Sequence, residues 1–235
     1  MNSIEIIGIP GSGKSTNYKK IVKQYRDKGL KVITIEEVIC KYMSEKFKWL
    51  KLLNFHQKFL FIISDFLYKL RRFQYVSLIE LLTKNQEFMY KIFQINTKRT
   101  IYEKEKQYVM NLLFETLIIY NIANNVLDSD EYLLIDEGYV QKLITIFVSD
   151  TIDIDIDILE DIIFYFGKPY ALVCLDVDIE ESYSRLEKRN FTNRLKTKNK
   201  SEKMVCLQGM YNMYTNVIEI CQKNDIEIVK YGNPN

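Results

Sequence analysis

A glycine-rich segment near the amino terminus has the residue spacing that cradles phosphate groups. Its residues read GIPGSGKS from position 8 to position 15, which matches the pattern GxxxxGK[ST] in full. Glycines let the backbone curl so that successive N–H groups point at phosphate oxygens, and a helix that opens at the lysine aims its positive end at the same anion. In this pattern the lysine reaches the β- and γ-phosphates and the hydroxyl ligates Mg²⁺. We therefore predict that ATP and Mg²⁺ bind at Gly8, Pro10, Gly11, Ser12, Gly13, Lys14, Ser15 and Thr16.

Acidic residues follow an apolar run that is typical of a buried strand. The run is Tyr132–Ile135, and Asp136 and Glu137 come directly after it. At the carboxyl edge of a sheet, Asp136 would hold Mg²⁺ directly or through water, together with Ser15; the alternative is an aspartate that only caps a turn. Glu137 has two interpretations, because such an acid polarises water in hydrolysing ATPases and faces the acceptor in small-molecule kinases.

A second pair of acids, Glu36 and Glu37, closes the predicted strand Lys31–Ile35. Ligands of open α/β sheets bind at the carboxyl ends of the strands, so we expect these acids at the same edge as Asp136. Glu36 would there accept a proton from an acceptor hydroxyl. A solvated glutamate at the start of a helix is the other interpretation of Glu36.

Three arginines lie within ten positions near the carboxyl end, at Arg185, Arg189 and Arg194. Phosphoryl transfer spreads negative charge over oxygens, and guanidinium groups stabilise that charge. A basic segment over about residues 185–203 would close over the nucleotide as a lid and exclude water. The alternative is a solvated basic helix.

Strands and helices alternate along the chain. Short apolar runs predict strands at Ser3–Ile9, Lys31–Ile35, Tyr132–Ile135, Tyr170–Asp176 and Ile226–Tyr231, with helical spacing between them, including Lys14–Lys28 and Val205–Gln222. This order indicates an α/β fold around a parallel sheet. The 235 residues fit one domain, since single cores grow to about 250 residues before they split. Residues 38–127 form a large helical insertion in this interpretation.

Composition excludes several other classes of function. Four cysteines without CxxC spacing and a single histidine, His56, argue against a zinc site and favour reduced thiols. Because we find no apolar run of about 20 residues and no room for a signal peptide, we expect a cytoplasmic protein without a membrane span. Residues 41–106 are rich in Lys and Arg, which indicates a solvated face or a surface for anionic ligands. No RNA-binding motif or zinc finger accompanies them, so nucleic acid is not an expected partner.

In this order, the glycine-rich segment, the acidic strand end and the arginine segment resemble the P-loop nucleoside and nucleotide kinases, with their Walker A motif. The thymidylate kinase-like branch is most similar, through LLF at Leu112–Phe114 before LLIDEGY, and through LVCLDVDIEESYSRLEKR at Leu172–Arg189. The resemblance covers roughly residues 1–36, 108–142 and 170–232. It implies a three-layer P-loop fold, in which a parallel sheet is flanked by helices, and a phosphotransferase activity with Mg-ATP.

The chain departs from that family at the positions that hold the acceptor's phosphate. The family motif DR[YH] reads Asp136-Glu137-Gly138 here, and Ile118 stands near the place of the arginine that usually follows LLF. In the family both arginines grip the acceptor's phosphate. The resemblance therefore implies the fold and the ATP site and leaves the acceptor open.

The sequence thus predicts a cytoplasmic kinase that transfers the γ-phosphate of Mg-ATP to a nucleoside, nucleotide or sugar-type acceptor. Lys14 and the loop amides would hold the phosphates, the three arginines would neutralise the transferred charge, and Glu36 or Glu137 would orient or deprotonate the acceptor. Three alternatives remain: an ATPase whose hydrolysis drives a protein or nucleic-acid partner, a non-catalytic nucleotide-binding module, and a sulfotransferase with a related loop. The oligomeric state stays open, a homodimer included.

Overall fold

A parallel sheet of five strands forms the centre of the protein. The computed structural model describes residues 2–48, 62–65, 71–98, 103–147, 156–191 and 193–231. Across the sheet the strand order is β2-β3-β1-β4-β5, and every neighbouring pair is parallel. The predicted α/β class with a parallel sheet is confirmed. The strands are β1 (Asn2–Ile7), β2 (Lys31–Ile33), β3 (Glu131–Ile135), β4 (Ala171–Cys174) and β5 (Glu227–Lys230).

Helices connect the strands and flank the sheet. Helices α2 to α5, with a short helical piece at 62–65, lie between β2 and β3, where the helical region 38–127 was expected. Within the described ranges, no helix is long and apolar enough to cross a membrane. The helices are α1 (Lys14–Asp27), α2 (Ile35–Lys46), α3 (Arg71–Lys84), α4 (Gln86–Lys98), α5 (Glu103–Val126), α6 (Tyr139–Phe147), α7 (Ile156–Ile163), α8 (Ile179–Lys188), α9 (Asn193–Lys196) and α10 (Lys200–Lys223).

Strand β1 shows why these runs of residues form a sheet with two buried faces. Ile4 and Ile6 point to one face and pack with Ile21 and Val22 of α1. Ile7 points to the opposite face, where helices α2, α5, α6 and α10 contribute to a larger apolar cluster. Because a parallel strand is covered on both faces, its sequence is an almost continuous apolar run. The one charged residue in β1, Glu5, therefore has a special environment.

Capping boxes explain two of the element boundaries that differ from the sequence prediction. Strand β2 ends at Ile33 because Thr34 caps α2: the Glu37 N–H donates to the Thr34 hydroxyl at 3.4 Å and the Thr34 N–H donates to the Glu37 carboxylate at 2.8 Å. Glu36 and Glu37 thus lie in the first turn of a helix and do not close a strand. Helix α10 begins at Lys200, not at Val205, because Asn199 caps it in the same way. Reciprocal caps start helices within polar stretches, where apolar periodicity gives no signal.

The buried carboxylate of Glu5 fixes α6 on the sheet. Glu5 is 1% exposed. One of its oxygens accepts a hydrogen bond from the Tyr120 hydroxyl at 2.6 Å, and the other accepts the Val140 N–H at 2.8 Å. Val140 lies in the first turn of α6, whose N–H groups have no partner within the helix. A side chain at Gly138 would overlap the Glu5 carboxylate, so glycine at that position permits the close approach.

Burial controls the protonation of Glu5. It raises the pKa of Glu5 from 4.5 to about 7, although the hydrogen bonds from Tyr120, Val140 and Gln141 favour the ionised form. The other ionisable groups that face it are Tyr120, Tyr139 and Cys221. Burial raises the pKa of all three, that of Cys221 to about 12. They stay neutral near pH 7, so Glu5 titrates without a charged neighbour in this group.

We predict that Glu5→Gln flattens the pH dependence of stability between pH 4.5 and 7. The folded wild type keeps its proton on Glu5 over that window while the unfolded chain loses it, so the stabilisation is present below pH 4.5 and is lost as the pH rises through 7. One pKa unit corresponds to about 1.4 kcal/mol, so the loss is on the order of 3 kcal/mol. Urea unfolding at a series of pH values measures it. If the free energy of unfolding falls with pH equally in the wild type and in the variant, the buried position of this carboxylate is contradicted.

Candidate functional site

The order of the strands creates a crevice beside β1. The connection that follows β1 leads through α1 to β2 at one edge of the sheet, whereas the connection that follows the neighbouring strand β3 leads to β4 on the other side of β1. Where such connections diverge, the carboxyl ends of the two strands leave an open crevice that binds ligands in α/β proteins. The segment Gly8–Ser15, called the glycine-rich loop below, follows β1, and Asp136 and Glu137 follow β3.

The glycine-rich loop is a closed turn that leaves backbone N–H groups without a hydrogen-bond partner. Gly11 and Gly13 have φ angles of 84° and 93°, a left-handed conformation that other residues adopt only with strain. The Ser12 N–H closes the turn on the Ile9 carbonyl at 3.1 Å. In the described part of the chain, the N–H groups of Gly11 and Gly13 have no hydrogen-bond partner, and the first turn of α1 leaves more N–H groups unpaired. This arrangement suits an anion with several oxygens.

Lys14 lies folded against the loop. Its ammonium donates to the Gly8 carbonyl at 2.7 Å and to the Ile9 carbonyl at 3.3 Å. The residue is 8% exposed, and burial lowers its pKa to about 8. The charge of Lys142 acts in the same direction, while Glu137 and Asp136 favour the cation. A desolvated cation among unpaired N–H groups attracts an anion more strongly than an exposed lysine does.

The acids that follow β3 face the start of α1. The Ser15 hydroxyl and an oxygen of Asp136 are 3.4 Å apart. Burial raises the pKa of Asp136, and the neighbouring Glu137 raises it further. Burial alone would also raise the pKa of Glu137, but Lys142 outweighs it, with help from Lys14, so that the pKa of Glu137 is lowered. Glu137 is therefore ionised at neutral pH, in a salt bridge of 2.5 Å with Lys142.

Helix α6 contributes two polar residues that the sequence analysis missed. Gln141 is 4% exposed, and its carbonyl oxygen accepts the Gly8 N–H at 2.8 Å. The next residue, Lys142, pairs with Glu137. The available signal was the presence of glutamine and lysine side by side in an otherwise apolar helix, since such residues are rarely buried without a partner. Through these contacts α6 holds both the start of the loop and the acid after β3.

Helix α8 packs against the outside of the loop. The Ser182 hydroxyl donates to the Pro10 carbonyl at 2.5 Å, and the Arg185 guanidinium donates to the Gly11 carbonyl at 3.1 Å. Arg185 also pairs with Glu181 at 2.5 Å. The structure thus places this predicted charge-stabilising arginine on the loop backbone, where it orients the carbonyl of Gly11.

A cavity of about 350 Å³ adjoins the loop. The loop, α6 and Arg189 provide the polar part of its lining, and the rest of the lining, called the apolar wall below, is mainly apolar. Phe191 lies in the apolar wall and has a positive φ of 46°, as does the preceding Asn190 at 61°. The Lys203 ammonium lies 4.0 Å from the centre of the Phe191 ring. The apolar wall consists of Tyr108, Leu112, Leu186, Phe191 and Met210.

The predicted site residues are only partly brought together. The cavity is lined by Pro10, Gly11, Gly13, Lys14, Ser15, Glu137 and Arg189. Gly8 and Ser12 support the loop, and Thr16 lies in the first turn of α1. Glu36 lines a different groove, between α1 and the start of α2, so the structure does not bring it into this cavity. Arg194 lies on the short helix α9, and its side chain is outside the described part.

The oxygen donors at this site fit a hard cation. The Ser15 hydroxyl and the Asp136 carboxylate face each other, and Mg²⁺ binds proteins through one or two carboxylates while it keeps waters and substrate phosphates. Among the described residues, no group of three or more His, Cys, Asp or Glu side chains is arranged to hold a metal ion. The donor set therefore suits a metal that arrives with a phosphate ligand.

The chain matches no model of a protein family, and no curated protein matches it significantly.

The contact between α8 and the loop gives a prediction with a matched control. A methyl group at Gly11 would lie 3.0 Å from the backbone oxygen of Ser182, whereas one at Gly29, whose φ is similar at 86°, would meet nothing within 4 Å. We expect Gly29→Ala to lower the free energy of unfolding by about 1 kcal/mol through strain. Gly11→Ala should cost at least about 1 kcal/mol more through overpacking. Urea denaturation compares the two variants, and equal losses would contradict a tight contact.

Proposed function

We propose that this protein is an ATP-dependent kinase, which transfers the γ-phosphate of Mg-ATP to a small-molecule acceptor. The observation that carries the proposal is the combination at the end of β1: a closed loop with unpaired N–H groups, Lys14 folded against it, and the Ser15 hydroxyl beside Asp136. Each part answers a need of a polyphosphate, which presents many oxygens and a high negative charge. The acceptor is a nucleoside, a nucleotide or a sugar-type metabolite.

The topology supports a three-layer P-loop fold. The loop leaves the central strand β1, helix α1 follows it directly, and the acid-bearing strand β3 is the hydrogen-bonded neighbour of β1. This placement is what a phosphate loop and its metal-binding acid require. The helix dipole of α1 adds partial positive charge at the point where the phosphates would lie.

The charged residues have distinct roles under this proposal. The loop N–H groups and Lys14 hold the phosphates, and Ser15 and Asp136 would hold Mg²⁺, which offsets phosphate charge when it is bound. Arg189, in the cavity wall, is placed to neutralise charge that develops during transfer.

Glu137 would orient the acceptor more than it deprotonates it. The pKa of this carboxylate is lowered by Lys142 and Lys14 against the effect of burial, so it is a weak base at neutral pH. A carboxylate of this kind accepts a hydrogen bond from an acceptor hydroxyl and directs its oxygen toward the phosphate. The hydroxyl proton then passes to the Glu137 carboxylate late in the transfer, when the new phosphate ester bond is largely formed and the hydroxyl has become more acidic.

One observation also favours a hydrolysing ATPase. The Glu137 side chain is 52% exposed, so water reaches the carboxylate that would polarise it. The cavity with an apolar wall favours the kinase, because a second molecule needs such a wall and an attacking water does not. The two functions differ in whether a small molecule stimulates ADP formation.

An ADP-release screen tests the proposal. Purified protein is incubated with Mg-ATP and a panel of nucleosides, nucleotides and sugars, and ADP is measured with a coupled assay. We expect one class of acceptor to stimulate ADP release, and Lys14→Ala to reduce the stimulated rate by on the order of 100-fold, since it removes a cation from the transferred phosphates.

The outcomes of the screen separate the alternatives. ADP release that no acceptor stimulates, and that still depends on Lys14, would replace the kinase by an ATPase. Nucleotide binding without turnover would indicate a non-catalytic module. If calorimetry detects no binding of ATP or GTP in the presence of Mg²⁺, the proposal is wrong.

A further inference from the structure

Lys142 is a nearly buried cation in the wall of the cavity. Its side chain is only 10% exposed, and its ammonium contacts the Glu137 carboxylate at 2.5 Å. Removing an ammonium group from water costs several kcal/mol unless its partners compensate. Glu137 is itself half exposed, so this one carboxylate compensates the lysine only in part. A costly charge at the wall of a cavity indicates a role in binding.

Two lysines act on the same carboxylate. Both Lys142 and Lys14 favour the ionised form of Glu137, and the charge of Lys142 also helps to lower the pKa of Lys14. Lys14 and Lys142 therefore repel each other, while the Glu137 carboxylate attracts both. An additional anion at this point relieves that repulsion.

We propose that Lys142 binds the terminal phosphoryl group of the nucleotide, and that the Glu137 carboxylate takes the place of that group while no nucleotide is bound. This inference rests on the proposed function. It assigns to α6 a phosphate-binding residue in addition to those of the glycine-rich loop.

The positions of the two lysines divide the phosphates between them. Lys14 donates to carbonyls of the loop itself, so it acts on phosphates that lie within the loop. Lys142 lies on α6, lines the same cavity and pairs with Glu137. A triphosphate held by the loop amides would extend its last phosphate out of the loop and toward this pair.

Binding of the terminal phosphate would also release Glu137. A phosphate oxygen on Lys142 brings negative charge next to the Glu137 carboxylate, and like charges at such a distance repel each other. Glu137 would then leave Lys142 and face the cavity, where the proposed acceptor binds. The acceptor-orienting carboxylate would become available only after the phosphate donor has bound.

The test compares two nucleotides on one variant, Lys142→Met, which removes the charge and keeps much of the side-chain length. Calorimetry with Mg²⁺ measures the Kd of ADP and of the non-hydrolysable analogue with a β,γ-imido bridge. We expect Lys142→Met to raise the Kd of the analogue by about tenfold, which is the magnitude of one charge-assisted hydrogen bond. The Kd of ADP should change by less than about twofold. Lys142→Arg should retain most of the preference for the analogue.

The matched control is Lys84→Met. Lys84 forms a pair of similar length with Glu80, at 2.6 Å on α3, and does not line the cavity. This variant should leave both constants unchanged. Equal weakening of ADP and the analogue by Lys142→Met would place the lysine on an inner phosphate and overturn the inference, as would no change of either constant.

A second variant keeps the inference testable if Lys142→Met does not fold, as thermal melting without nucleotide would reveal. Glu137→Gln keeps Lys142 and removes the carboxylate charge that competes with the terminal phosphate. We therefore expect this variant to bind the analogue more tightly relative to ADP. An unchanged or weaker relative affinity would overturn the inference. Failure of the wild-type protein to bind either nucleotide would instead refute the proposed kinase function, and the assignment of Lys142 with it.

Discussion

The placement of helix α6 depends on one buried carboxylate, Glu5. It accepts hydrogen bonds from Tyr120 of α5 and from the first turn of α6, so an ionisable side chain of the central strand replaces the usual side-chain cap of that helix. From this anchor, α6 extends two polar side chains toward the carboxyl edge of the sheet. Gln141 binds the start of the glycine-rich loop and Lys142 binds Glu137. The geometry of the site thus depends on the contact of Glu5 with α5 and α6, on the face of the sheet that these helices cover.

Partial burial decides how the charges at the sheet edge behave. Desolvation disfavours the charged forms of Lys14 and Asp136 and moves their pKa values toward neutrality. Glu137 escapes this effect because Lys142 contacts it directly. Two adjacent acids in one crevice therefore differ in character, and the lysine contributed by α6 causes the difference. Neighbouring carboxylates with separated pKa values can perform separate tasks, which here are metal binding and acceptor orientation under the proposed function.

The sequence predicted those features that depend on local chemistry. The spacing of glycines and of Lys14 requires a particular backbone path, and apolar runs that end in Asp136 require a buried strand, so the parallel sheet and the position of the loop followed. Glu5, Gln141 and Lys142 could not be found in this way, because each acquires its role from residues that are distant in the chain and close in the fold. Arg185 shows that a residue which the sequence does single out can have a different contact in the fold. Its type and spacing favoured contact with phosphate, yet the structure places it against the Gly11 carbonyl, a choice that depends on how α8 packs.

Under the proposed function, the polar and apolar residues that line the cavity limit how an acceptor can be recognised. The positive charge in the lining comes from the loop, α6 and Arg189, whereas Tyr108, Leu112, Phe191 and Met210 provide apolar surface in the same cavity. Among the described residues, this apolar part of the lining offers an acceptor mainly shape and apolar contact, with the Lys203 ammonium 4.0 Å from the centre of the Phe191 ring. Shape and apolar contact distinguish related molecules by about 1–3 kcal/mol per methylene group. An acceptor with a ring or another apolar body satisfies the apolar wall better than a small, highly charged molecule does.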